Sequence, residues 1–175
     1  MPFEHPDSGK KEKGGVFEAA FLLESRSETV NEVEQLAERH LADLGWTEDE
    51  SAPFLLAIRE AVTNAIVHGN LEVAKESPDD QHISQRIHEA EAGEKSKRHV
   101  DVTFRFAPDE AEVTVVDQGR FLPTEDDVAQ AVRDFSEKPL ATSGRGIGFI
   151  NEGADQIEFF PGGIRFSRRR VRDGF

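Results

Sequence analysis

Residues 99–117 read HVDVTFRFAPDEAEVTVVD, two runs in which apolar and polar side chains alternate on either side of Ala107-Pro108-Asp109-Glu110. Alternation of period two marks strands with one buried face, and a Pro-Asp pair between such runs marks a turn, so the segment predicts a β-hairpin. Downstream, Thr124 opens a short acidic helix to about Phe135, and SEKPLATSGRGIG (136–148) is rich enough in Gly, Ser and Pro to predict a loop. FINEGA (149–154) reads as a short helix. DQIEFF and IRFSRRRV, joined by Pro161-Gly162-Gly163, read as a second hairpin. Upstream, VFEAAFLL (16–23) has the length of a strand. Ser25 and Glu28 have capping-box spacing ahead of a helix carrying Val30, Val33, Leu36, Ala37, Leu41 and Leu44 and closed by Gly45. Thr47 and Glu50 form a second such pair ahead of FLLAIREAVTNAIVHG, with Gly69 at the position of a C-terminal cap. Two hairpins and helices that need one apolar surface predict an α+β two-layer sandwich: a mixed, mostly antiparallel sheet covered on one face by helices.

The chain has 175 residues, 37% hydrophobic and 32% charged, an ordinary balance for a single domain with one core. Residues 1–15 predict a flexible N-terminal tail and 16–175 the domain, interrupted at about 71–99 by a charged insertion whose Ile83 and Ile87 suit one weak helix. Lys and Arg total 21 against 35 Asp and Glu, a net charge of −14. That excess of acid argues against direct binding to nucleic acid or to an anionic membrane, both of which rest on Lys and Arg. It suits solubility, a basic protein partner or a high-salt interior. The absence of Cys excludes disulfides and thiolate chemistry. With no signal peptide and no apolar run of membrane length, the expectation is a cytoplasmic protein.

Three stretches carry possible chemistry. In Glu60-Ala-Val-Thr-Asn64-Ala-Ile-Val-His68, the polar residues recur every four positions and share one helical side, opposite the apolar Ile58, Ala61, Val62, Ala65 and Ile66. A solvated face explains this pattern. So does a site in which an amide oxygen of Asn64 meets a hard cation such as Mg2+ and Glu60, one turn earlier, takes a proton. At Val115-Val116-Asp117-Gln118-Gly119, an apolar strand ends in an acid able to accept a hydrogen bond from the amine of adenine, with a glycine that lets a flat base approach. An ordinary turn has the same composition. Gly144-Arg145-Gly146-Ile147-Gly148 precedes an apolar segment and suits convergence of amide N–H groups on an anion, with Arg145 near a terminal phosphate. Its spacing matches neither the P-loop nor the dinucleotide fingerprint, and a flexible surface loop is the competing account.

Taken together, the ExxxN helix, the DxG strand end and the GxGxG loop resemble the motifs of the GHKL ATPases, the superfamily of Bergerat-type ATP-binding folds. EAVTNAIVHGN on a short chain is most similar to the bacterial anti-sigma-factor serine/threonine kinases. The resemblance implies that Asn64 holds the Mg2+ bridging the phosphates of ATP and that Asp117 reads adenine while Gly119 admits the base. It further implies that Gly144, Gly146 and Gly148 border the phosphates, with Arg145 near the terminal one. His68 by itself suits contact with a phosphate and, equally, closure of the helix end. Glu60 would be the general base for a partner's serine, and residues 120–143 the ATP lid. The implied protein is a homodimeric Mg-ATP-dependent kinase that binds a sigma factor and phosphorylates a STAS-type anti-sigma-factor antagonist. An ATP-gated binding module without phosphotransfer is the alternative.

The chain departs from this pattern in three places. Arg120 stands where relatives often have a second glycine, Ile164 where they often carry Thr, and the insertion is longer than usual. Other conspicuous residues read as structural. His82 and His88 are off the spacing of a helical metal pair and read as surface residues. Trp46 suits core packing, and Arg168-Arg169-Arg170 suits a solvated last strand.

Overall fold

The computed structural model describes residues 15–74, 76, 80–119, 123–137 and 145–171. The expected tail at 1–15 therefore lies outside the described residues except for Gly15, as do the two ends of the expected lid, with Arg120 and Gly144. Five strands form one sheet: β1 (Phe17–Glu24), β2 (His99–Phe106), β3 (Glu110–Val116), β4 (Gln156–Phe160) and β5 (Gly163–Arg169). Their order is β1-β2-β3-β5-β4, and every pairing is antiparallel. Helices α1 (Glu28–Asp43), α2 (Glu48–Asn64), α3 (Ile83–Glu91), α4 (Glu125–Glu137) and α5 (Gly146–Gly153) complete the α+β fold.

The alternation read in residues 99–117 decides which face is covered. Val100, Val102, Phe104 and Phe106 of β2 and Ala111, Val113 and Val115 of β3 are buried, whereas Asp101, Thr103 and Arg105 between them are exposed. In register, Val102 lies opposite Val115 and Phe104 opposite Val113, so the two strands present one continuous apolar surface. Phe54, Ile58, Ala61 and Val62 of α2 and Val33, Ala37 and Leu41 of α1 pack into the same core. Full burial of each large side chain contributes about 1.5–3 kcal/mol. Phe54 meets Phe106 and Phe166 edge-on, with ring centroids 6.4 and 5.5 Å apart.

Local signals succeed at α2 and fail at α1. Thr47 accepts from the Glu50 amide at 3.3 Å while Glu50 accepts from the Thr47 amide at 2.7 Å, the reciprocal box that the spacing predicts. Pro53 lies inside α2 beyond its first turn, so it withholds the N–H that would reach the Asp49 carbonyl. Ser25 makes no such box. It is fully buried, it donates instead to the Arg98 carbonyl at 2.7 Å, and the position before α1 is taken by Ser27 without a side-chain cap. Gly45 closes α1 with φ +85°. Gly69 is no helix cap. Residues Ala65–Asn70 continue α2 as a π-helical turn, with the Leu71 amide reaching back to Ile66 at 2.8 Å.

The insertion carries α3 and a 3-10 turn (Glu94–Lys97). Ile83, Ile87 and Ala90 pack against the core, and Glu91 accepts from the Ser27 amide at 2.7 Å, which ties α3 to the start of α1. Arg86 pairs with Glu76 and Asp80. His82 and His88 are exposed. Trp46 is buried and donates to the Ala107 carbonyl at 3.0 Å. The arginine cluster is less solvated than expected. Arg168 shares the inward side of β5 with Ile164 and Phe166 and donates to the Gly153 carbonyl at 3.1 Å, closing the C-terminal end of α5, while Arg170 binds Glu50 at 2.7 Å. No described helix is long and apolar enough to cross a membrane.

Candidate functional site

The β3 terminus, the π turn and the β4–β5 hairpin converge on Asp117. Its amide donates to the Gly162 carbonyl at 2.8 Å, and its carboxylate accepts from the Gly119 amide at 2.7 Å. Gly162 has φ +77° after Pro161, the arrangement of a type II turn, which aims that carbonyl at the strand end. Two other glycines make room. A Cβ on Gly69 would come within 2.5 Å of the Asp117 carboxyl carbon, and one on Gly119 would overlap the Gly69 carbonyl. The carboxylate thus lies directly against helical backbone. Burial pushes its pKa above the ordinary aspartate value, and the Gly119 N–H opposes part of that rise.

Asp117 and Asn64 are the two polar side chains on the wall of an open cavity of about 520 Å³, solvent-facing space included. Ala61 of α2, Ala65 of the π turn, Val115 of β3, Ile147 and Ile150 of α5, Phe159 of β4 and Ile164 of β5 make the rest of the wall largely apolar. A slot of this kind fits a flat heterocycle with an amine directed at the acid.

Glu60 stands one turn before Asn64, and α5 begins beside both. A Cβ on Gly146 would lie 2.9 Å from Glu60 Oε2 and 3.2 Å from Asn64 Nδ2. The glycine segment is therefore helical sooner than its composition predicts. Gly146 and Gly148 lie in the first turn of α5, while α4 extends to Glu137. The reason lies in α4, whose Val128, Val132 and Phe135 form an apolar stripe in an otherwise acidic sequence. A Cβ on Gly148 would overlap the Phe135 ring, so this glycine admits α4. Arg145 precedes α5 with its guanidinium carbon 4.8 Å from the Phe135 centroid and 4.7 Å from that of Phe149. The two rings meet edge-on at 4.9 Å, and Arg145 Nε is buried without a hydrogen-bond partner.

The chain thus brings Glu60, Asn64 and Gly146 together, and Asp117 and Gly119 together, with Asn64 and Asp117 on the wall of one cavity. Arg145 and Gly148 adjoin α4. His68 departs from the side shared by Glu60 and Asn64, because the wider π turn rotates it. Its Nδ1–H donates to the Val73 carbonyl at 2.6 Å, and it is not on the cavity wall. Gly144 lies outside the described residues. Sequence reasoning missed the part of Phe135, which the spacing of Val128, Val132 and Phe135 would have revealed. It also missed Asn70, whose partners are all distant in sequence.

The family model for the histidine kinase-like ATPase domain matches residues 23–165, and the chain belongs to that family. It is an ATP-binding domain of the GHKL type. No curated protein matches the chain. The residues present fit the nucleotide: an apolar slot ends in a half-buried acceptor, and glycine keeps side chains out of the space beside Asn64 and Glu60.

Proposed function

We propose that the chain is a Mg-ATP-dependent protein serine kinase of the anti-sigma-factor type, acting on a STAS-type antagonist and holding a sigma factor as a homodimer. The observation that carries this reading is the meeting of Glu60 and Asn64 with the start of α5 at Gly146. Asp117 would accept from the adenine amine, and Gly119 and Gly69 leave the carboxylate room to do so. Asn64 would offer its amide oxygen to Mg2+, which neutralises charge on the phosphates when bound. Gly146 and the first amides of α5 would face the phosphates. Glu60, half-buried beside that point, would take the proton of the partner's serine hydroxyl as the serine oxygen accepts the γ-phosphoryl group and the bond from γ-phosphorus to the β–γ bridging oxygen breaks, releasing ADP. Arg145, next to Gly146, is the cation nearest in sequence to this point. The surplus of acid suits protein partners rather than DNA.

The test is incubation with γ-labelled ATP, Mg2+ and a candidate STAS-type partner. Label is expected on a serine of the partner, and Glu60→Gln is expected to slow transfer by about 10²-fold or more while ATP affinity is unchanged. ATP binding with no label on the partner, unaltered by Glu60→Gln, would replace the kinase with an ATP-gated binding module.

A further inference from the structure

Asn70 is the last residue of the π turn that carries Gly69, yet it points away from the cavity and is fully buried. Its Nδ2 donates to Ser25 Oγ at 2.8 Å and to the His99 carbonyl at 2.9 Å. Its Oδ1 accepts from the amide of Gln118 at 2.7 Å. One side chain therefore joins the ends of β1, β2 and β3. The network also fixes the orientation of the amide, because the Gln118 N–H needs an oxygen opposite it. The Gln118 side chain closes a second link, its carbonyl accepting from the His99 amide at 3.0 Å.

Gln118 is the residue between the two that matter for base recognition, Asp117 and Gly119. We infer that Asn70 is a positioning residue for nucleotide recognition: by holding the Gln118 amide it fixes the orientation in which Asp117 presents its carboxylate to the base. The remaining restraints on Asp117 are its bonds to the Gly162 carbonyl and the Gly119 amide. Both belong to turn segments, whereas Asn70 anchors the strand end to helical backbone already in contact with it through Gly69. Loss of Asn70 Oδ1 takes away the acceptor of the Gln118 N–H, in a bond that is partly buried, and frees the peptide plane next to the acid. The inference rests on Asp117 as the reader of adenine.

Ser25 supplies the control. It belongs to the same buried network, but among the described residues its hydroxyl bonds only Asn70 Nδ2 and the Arg98 carbonyl, on the side away from Asp117. Titration of the full chain with Mg-ATP and Mg-GTP in a calorimeter, alongside thermal unfolding, separates positioning from general stability. Asn70→Ala is expected to weaken ATP binding about tenfold or more and to narrow the preference for ATP over GTP. Ser25→Ala is expected to lower the unfolding midpoint while affinity and preference stay as in the parent. Asn70→Asp, which keeps an oxygen acceptor for the Gln118 amide, is expected to restore much of the preference; Asn70→Leu, close in volume and without an acceptor, replaces the alanine variant if that one does not fold. Unchanged affinity and preference in a folded Asn70→Ala, or equal losses in Ser25→Ala, would overturn the inference. Asp117→Ala serves as the reference. If that change leaves ATP binding intact, the base-reading site itself is wrong. If it abolishes binding while Asn70→Ala does not, only the positioning role is wrong.

Discussion

The region around the cavity is held at its Asp117 end by main-chain hydrogen bonds and at its Arg145 end, off the cavity wall itself, by stacked side chains. Around Asp117, bonds of 2.7–2.8 Å to Gly119, Gly162 and, through Gln118, Asn70 leave one arrangement of the chain. Around Arg145, a cation and two aromatic rings bridge α4 and α5. Contacts of that second kind contribute about 0.5–1.5 kcal/mol each and tolerate sliding and tilting. Directional bonds among buried groups do not. The Asp117 end is thus built before any ligand arrives, and the Arg145 end is where the occupant of the cavity would be felt by α4.

The largest effect that tests this contrast is at Gly69. Its Cβ would lie 2.5 Å from the Asp117 carboxyl carbon, which fixed backbone holds in place. Gly69→Ala is expected to cost about 1–3 kcal/mol in urea unfolding and to remove ATP binding by calorimetry. Gly146→Ala, whose Cβ would meet the movable tip of Glu60, is expected to cost less stability. Equal losses would end the distinction between a rigid and a yielding end.

Next in size is the coupling of Gly148 to Phe135. Gly148→Ala alone collides with the ring and is expected to destabilise by about 1–3 kcal/mol. In a Phe135→Ala background the same change is expected to be nearly neutral, giving a coupling of about 0.5–3 kcal/mol in a double-mutant cycle. Additive effects would mean that α4 does not rest on α5 in solution.

The smallest effect concerns Asp117 and pH. Burial raises its pKa in the folded chain, so the folded state binds the proton more tightly than the unfolded one. Its stability deficit is fully present above that raised pKa and disappears as the pH falls through it toward the ordinary aspartate value of 3.8. Asp117→Asn is therefore expected to unfold at a higher temperature than the parent at pH 7, with the gap closing in acid. A gap that does not change with pH would mean that the carboxylate is not desolvated.

The hairpins, the sheet covered on one face and the box at Thr47–Glu50 were legible because each is written within a few residues. The meeting of Glu60, Asn64 and Asp117 was legible only through motif likeness, since no local pattern brings residue 64 to residue 117. Three expectations failed where a distant partner outweighs a local preference. Ser25 gives up a capping role because Asn70, 45 positions away, draws it into the core. Gly69 looks like a helix cap but is glycine for the sake of Asp117, and Gly148 looks like part of a loop but is glycine for the sake of Phe135. In each case the residue type was noticed and its cause lay elsewhere in the chain. Asn70 left no local trace, because its partners lie 29, 45 and 48 positions off.

Strand β5 is threaded between β3 and β4, although it is made after both. Until it leaves the ribosome, β3 has an open edge, Ile164 is missing from the wall, and Asp117 lacks the carbonyl from the turn that precedes β5. A nascent chain halted before residue 163 can therefore have α2 and its asparagine in place and still be unable to retain nucleotide. Competence arrives in a single step, when the β4–β5 hairpin closes the gap in the sheet.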